Sequence, residues 1–280
     1  MIGLVVDSSS QLPADLAERF GIVVVPLTVT VDGVDHLEGV DLDADAFWAA
    51  FAGGRVPEVS TSQPSPGRFA QAYAGLVEAG ASEVLSIHIT RAMSGTLDSA
   101  RLAARDAGVP VRLVDSGTAS FGVACCAWAA AEAIEAGADV EAAAAVAEAR
   151  GSSLRTSFVV GVPELLERSG RAAGVDVAGA AGDGVAVVAM TGADVEVLGT
   201  ARSLDEAVDS MSGDALARTP SLDDGLRIAV GTSDASSAPL ADALAERLTG
   251  EPGVADLVRY RIGPSVGAHT GPGTAGLFAF

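Results

Sequence analysis

EVLSIHITRAMSGTLDSARLAARDAGVPVRLVDS, residues 83–116, holds two strands with a helix between them. EVLSIHIT (83–90) is a short, mostly apolar run, the pattern of a buried strand. SGTLDSARLAARDAG (94–108) has helical spacing and stops at Gly108, and VPVRLVDS (109–116) is the next strand. GVACCAWAAAEAIEAG (122–137) follows as a second helix. Strands alternating with helices build a parallel sheet covered on both faces, with functional loops at the carboxyl ends of the strands.

The alternation extends upstream. IGLVVDSS at the start is a strand, PADLAERFG (13–21) a helix with Pro13 at its entry and Gly21 past its end, and IVVVPLTVTV (22–31) the next strand region. DLDADAFWAAFAGG (41–54) reads as a helix with Asp43 as N-cap and Gly53 as stop. A polar loop, STSQPSPGRF (60–69), leads into a helix that runs to about Glu78.

After an alanine-rich helix at 139–150 the pattern changes. SFVVGV (157–162), GVAVVAMTG (184–192), ADVEVLGTA (193–201), LRIAVGTSD (226–234), DLVRYRIG (256–263) and AGLFAF (275–280) are strand candidates, two of them a hairpin, with helices at 203–217 and 237–250. The expectation is an α/β protein of two domains: a doubly wound parallel sheet in 1–155, and a mixed sheet with helices on one side in 156–280. The stretch 172–185 is too rich in small residues to assign as helix or flap. The chain closes on GPSVGAHTGPGTAGLFAF (263–280), with no charged residue after Arg261, which predicts an ordered loop and then a buried strand.

At 280 residues with 49% hydrophobic content, the chain can fill two cores. It lacks the ~20-residue apolar run of a membrane span, and its first residues read as a strand rather than a signal peptide, so the expected location is cytoplasmic, without stable membrane insertion. The net charge is −20, and all 17 basic residues are arginine. Such a surface gains nothing from counterion release, which excludes nucleic acid as a partner, and a Schiff-base or P-loop lysine is impossible. Adjacent Cys125 and Cys126 in an apolar helix fit core packing, not a disulfide framework or zinc site. No metal or cofactor is implied.

Three hydroxyl-rich turns stand out: Asp7-Ser8-Ser9-Ser10, Thr61-Ser62-Gln63-Pro64-Ser65 and Ser94-Gly95-Thr96. Each alone is explained by helix capping. In a doubly wound sheet, however, such turns share one edge, where hydroxyls and helix-start amides favour an anion such as a carboxylate. Of the three histidines, His36 sits among acids in a surface loop and His88 alternates within a strand as a satisfied core residue. His269, enclosed by Gly267, Thr270, Gly271, Pro272 and Gly273, has an unusual backbone path and is the one assigned to function. Arg171 and Arg202 are candidates for a basic rim, or for surface ion pairs.

VVDSSSQLP near the start, STSQPSPGRF (60–69), SGTLDSA (94–100), VDSGTASFG (114–122), SGR (169–171) and GAHTGPGTAGLFAF at the end resemble, in order and spacing, the DegV family of bacterial fatty-acid-binding proteins. The resemblance runs nearly the full length. It implies a non-enzymatic protein that buries a long acyl chain, such as palmitate, stearate or oleate, and presents the carboxylate to an ATP-dependent fatty-acid kinase that makes the acyl phosphate. The matching head-group positions are Thr61, Ser62, Ser94 with Gly95, and His269 with Thr270; Arg171 and Arg202 match arginines that are candidates for phosphate or partner contact. Family members usually read close to SSLSGT where this chain has TRAMSGT. The competing reading is a serine hydrolase or acyl transferase with Ser94 or Ser62 as nucleophile, His269 as base and Asp7 as orienter, although the turn at Ser94 lacks the G-x-S-x-G elbow. A nucleotide or phosphosugar binder would need G-x-G-x-x-G or P-loop spacing, which the turns lack.

Overall fold

The computed structural model describes residues 1–172, 174–192, 194–218 and 225–280. The chain forms two compact units, Met1–Asp41 with Ser60–Ser152, and Leu42–Val59 with Ser153–Phe280. In chain order the first unit holds β1 (Ile2–Asp7), α1 (Ala14–Phe20), β2 (Ile22–Val25), β3 (Thr28–Val31) and β4 (Val34–Leu37). An excursion contributes α2 (Ala44–Ala49) to the second unit. Then β5 (Val59–Ser62), α3 (Pro66–Glu78), β6 (Glu83–His88), α4 (Thr96–Ala104), β7 (Val111–Asp115), α5 (Phe121–Glu135) and α6 (Val140–Ser153) complete the first.

The first unit is built on a parallel sheet of order β2-β1-β6-β7. Strand β1 is buried from Gly3 to Asp7, because it has a neighbour on each edge and helices on both faces. On one face α3 and α4 set Phe69, Tyr73, Leu76, Ala100 and Ala103 against Val5, Val25 and Val84. Helix α5 contributes nothing to that cluster and packs on β1 and β6 from the opposite face. Its Cys125 and Cys126 are fully buried, and burial pushes the Cys126 thiol up to about 12.

The strand region expected at 22–31 divides at Pro26, which has no N–H for a ladder. Its second half, β3, pairs with β4 and β5 in a separate sheet of order β4-β3-β5. The β3–β4 hairpin turns through Asp32 and Gly33 at φ 50° and 81°, the positive values that an Asp-Gly turn of this kind requires. His36 therefore lies on β4, 3.8 Å from Asp41 Oδ1, instead of in a loop.

The second unit continues with β8 (Arg155–Val159), α7 (Pro163–Arg168), α8 (Val177–Ala181), β9 (Val185–Thr191), β10 (Asp194–Ala201), α9 (Leu204–Arg218), β11 (Leu226–Thr232), α10 (Ala238–Leu248), β12 (Val254–Arg261), α11 (Pro264–Thr270) and β13 (Ala275–Ala279). Its six-stranded sheet has the order β10-β9-β8-β13-β11-β12; β11 and β12 run parallel and the other neighbours antiparallel. On one face Met211 of α9 and Leu244 and Leu248 of α10 pack against Val187, Ile228, Val230 and Leu277. The expectation of helices on one side is corrected at the β8–β9 end. There α7 and α8 bring Leu166 and Val177 onto Val188 and Ala186, so β9 is buried on both faces.

Two further expectations change. Residues 42–59, read as part of the N-terminal domain, group with the C-terminal unit. Trp48 Nε1–H donates to Ile262 O at 2.9 Å, and the Trp48 and Phe47 rings fill the space where a Cβ on Gly267 would stand, 2.5 and 2.7 Å away. The terminal loop expected from 263 is instead helix α11, with Pro264 in its first turn and Gly271, at φ 74°, closing its end. In the stretch 172–185, Asp176 caps α8 by accepting from Gly179 N–H; Ala173 lies outside the described residues.

Candidate ligand-binding site

In the first unit, the turns at 61–65 and 94–96 come together. The Gln63 amide group lies against Gly95, 3.0 Å from where a Cβ would be placed, so a side chain at 95 would displace it. Ser94 Oγ and Thr96 Oγ1 are 2.8 Å apart, and Thr96 N–H points at Ser94 Oγ from 3.3 Å. Ser94 thus serves the start of α4 as a cap while staying half-buried. Thr61, half-buried, and Ser62, exposed, lie at the end of strand β5 rather than in a loop.

The third hydroxyl turn does not supply ligand donors. Ser8 Oγ donates to Glu38 Oε2 at 2.5 Å and accepts from Leu27 N–H at 3.0 Å. Ser9 donates its hydroxyl and its N–H to Asp7 Oδ1. Asp7 is fully buried, and its Oδ2 meets His88 Nδ1 at 3.0 Å and Ile89 N–H at 3.2 Å. His88 Nε2 lies 2.7 Å from Ser86 Oγ, which lies 3.0 Å from Tyr73 OH. His88 is therefore a satisfied core residue. The Asp7 carboxylate orients His88, which corrects its assignment as partner of His269.

In the second unit, His269 lies in the last turn of α11, and its ring partner is a cation. Arg171 Nη1 is 3.2 Å from His269 Nδ1. A guanidinium has no acceptor, so it donates and Nδ1 accepts, and the neutral ring carries its proton on Nε2. Burial, and then the adjacent Arg171 charge, push the His269 pKa down to about 3. Burial also lowers Arg171 from its ordinary value. Arg171 is half-buried rather than part of an exposed rim; its bonds go to the neutral acceptors Ser169 O and His269 Nδ1, and among the described residues no carboxylate pairs with it. Arg202 is exposed, and its N–H donates to Glu206.

Thr270 is buried, and its hydroxyl donates to Val266 O at 3.3 Å, an ordinary back-bond within the helix. Its carbonyl accepts from Val162 N–H at 2.9 Å. The Thr270 hydroxyl is thus engaged within its own helix, while the His269 ring faces the Arg171 guanidinium. An arginine that is half-buried and has no counter-charge among the described residues, beside an imidazole that donates while staying neutral, is suited to hold a carboxylate. The Arg171 contact lay beyond sequence reasoning, because the partners are 98 residues apart with no common motif.

The described residues thus hold a parallel α/β unit with hydroxyl turns, and a mixed-sheet unit carrying an Arg–His pair. The sequence profile described as "Uncharacterised protein, DegV family" matches residues 1–280, and the chain belongs to the DegV family. It is 36% identical over 278 residues to a DegV domain-containing protein of Streptomyces coelicolor, covering 99% of this chain and 97% of that one. A fatty-acid-binding DegV family protein from Thermus thermophilus has the same fold with a TM-score of 0.87 at 32% identity, covering 100% and 99% of the two chains. A Thermotoga maritima protein whose structure revealed a fatty-acid-binding function matches with a TM-score of 0.85 at 25% identity, over 99% and 98%.

Proposed function

We propose that this protein binds a long-chain fatty acid such as palmitate, stearate or oleate, holds its carboxylate, and presents it to an ATP-dependent fatty-acid kinase without itself being an enzyme. The observation that carries this reading is the Arg171–His269 pair, a cation and a neutral donor beside each other in a half-buried setting. His269 is the principal head-group donor. Thr61, Ser62, Ser94, Gly95 and Thr270 are the further candidates, with Arg202 assigned to kinase or phosphate contact. Similarity to the fatty-acid-binding Thermus thermophilus protein supports the ligand class. Each methylene removed from water is worth ~0.8 kcal/mol, so an acyl chain of about fifteen gains ~12 kcal/mol gross before ordering costs, and the head group supplies orientation.

A catalytic triad is disfavoured, because His269 Nδ1 accepts from Arg171 where a hydrolase would place a carboxylate acceptor. The test is denaturing mass spectrometry of protein purified from a bacterial host, followed by incubation with ATP and a fatty-acid kinase. The expected result is one bound fatty acid per chain, converted to acyl phosphate only when the kinase is added. Protein free of lipid that also fails to take up added oleate would overturn the reading. Labelling of Ser94 or Ser62 by a fluorophosphonate would replace it with the hydrolase.

A further inference from the structure

The loop after α11 is built to be free and is then tied down. Gly271 and Gly273 both adopt left-handed backbone, at φ 74° and 86°, on either side of Pro272. Glycines of this kind leave a loop many alternative paths, so an outside contact has to select one. Gly273 N–H donates to Asp234 Oδ1 at 2.8 Å, across 39 residues of sequence. Asp234 stands just past β11, held by the Ser233 hydroxyl at 2.9 Å and by the Ser236 hydroxyl at 2.9 Å from Oδ1 and 3.0 Å from Oδ2. Neutral contacts hold the same loop: Ser233 N–H donates to Thr274 O at 3.1 Å, and Thr274 Oγ1 donates to Thr270 O at 3.0 Å and Gly271 O at 2.8 Å. Gly161 N–H donates to Thr274 Oγ1 at 3.1 Å, and a Cβ on Gly161 would fall 1.7 Å from Pro272 O.

We infer that Asp234 is a positioning residue for the head-group site: by fixing Gly273 it fixes the last turn of α11, and with it the approach of His269 Nδ1 to Arg171. Capping of its own turn would account for the Ser233 and Ser236 bonds but not for the Gly273 bond, which serves a different chain segment. A carboxylate acceptor makes a stronger bond to N–H than a neutral one, so this tie is stronger than the neutral ones beside it. Burial alone would raise the Asp234 pKa, but the hydrogen bonds from Gly273, Ser233 and Ser236 outweigh it and hold the group below its ordinary value. The tie is thus charged at neutral pH. As a statement about lipid affinity, the inference rests on the fatty-acid reading; as a statement about His269, it does not.

The experiment compares wild type with Asp234→Ala, Asp234→Asn and Ser236→Ala, in the full chain. Affinities are measured for oleic acid and for oleyl alcohol, which has the same chain but no carboxylate, and the His269 ring nitrogens are observed by 15N NMR. Asp234→Ala should weaken oleic acid about tenfold, within the usual range for a lost charged hydrogen bond, and leave oleyl alcohol within about twofold. The His269 spectrum should move from a single Nε2–H tautomer towards a mixture. Ser236→Ala removes one holder of Asp234 but leaves the Gly273 bond, so it should move both readouts in the same direction and by less than Asp234→Ala does. Equal weakening of acid and alcohol, or unchanged acid binding, would overturn the inference. If Asp234→Ala does not fold, Asp234→Asn, which keeps the shape, is read by the same criteria. If wild type binds neither lipid, the fatty-acid reading fails on its own, and the His269 tautomer then decides: a shift in the variant supports positioning, and no shift ends it.

Discussion

Replacing His269 with asparagine removes a base that folding keeps neutral, and the consequence can be read as a pH dependence. In the folded protein its pKa is held at about 3, against an ordinary value of 6.5. Between those values the unfolded chain binds a proton that the folded chain refuses, so stability falls as pH drops from about 6.5 towards about 3. Stability is fully retained above the unfolded value, because both states are neutral there. From pH 8 to pH 5 the loss due to this one group is RT ln(1 + 10^1.5), about 2 kcal/mol, and it is insensitive to the folded value as long as that stays well below 5. Trp48 of α2, buried against Gly267 in the same unit, reports unfolding by fluorescence once Trp128 is replaced by phenylalanine. Urea titrations at pH 8 and pH 5 with and without His269→Asn cancel the contributions of all other groups. The double difference should be about 2 kcal/mol, with the variant the less sensitive to acid. Equal pH sensitivity would show that His269 is not a buried neutral imidazole, and the tautomer argument for carboxylate binding would fall with it.

Gly267→Ala places a methyl 2.5 Å from the Trp48 ring and should destabilise the second unit by ~1–3 kcal/mol, seen as a lower urea midpoint in the Trp48 signal. His88→Leu removes the imidazole from Asp7 Oδ2 and Ser86 in a fully buried setting and should cost ~3–5 kcal/mol in the first unit, followed by Trp128 fluorescence; a loss under ~1 kcal/mol would mean that the network is not closed to water.

Regular elements were readable wherever burial leaves a pattern. Strand β1 is a nearly continuous apolar run because the sheet is covered on both faces, and β9 and β10 were legible as strands. Strand β4 was missed although its signal was present: Asp32-Gly33 is a hairpin dipeptide, but the acidic sequence around His36 looked like a loop. The serines at 8–10 show the limit of residue type as a guide, since a hydroxyl that meets Glu38 or Asp7 reads the same in sequence as one that meets a ligand. His269 was singled out by its glycine surroundings. Arg171 was named as well, but its contact with His269, like that of Asp234 with Gly273, was not legible, because contacts across 98 residues, or between residue 234 and residue 273, leave no spacing to detect. The destination of α2 was hidden for the same reason: its apolar face shows that it packs, but not against what.

The excursion of 42–59 into the second unit also bears on how the protein emerges from the ribosome. Phe47 and Trp48 are made early, but Ile262, which accepts the Trp48 indole hydrogen, follows 214 residues later. At elongation rates of ~5–20 residues per second, this aromatic pair waits roughly 10 to 40 s for its seat. The nascent chain therefore carries a sticky segment through most of its synthesis, and slowing translation after α2 should raise its demand for a holding chaperone.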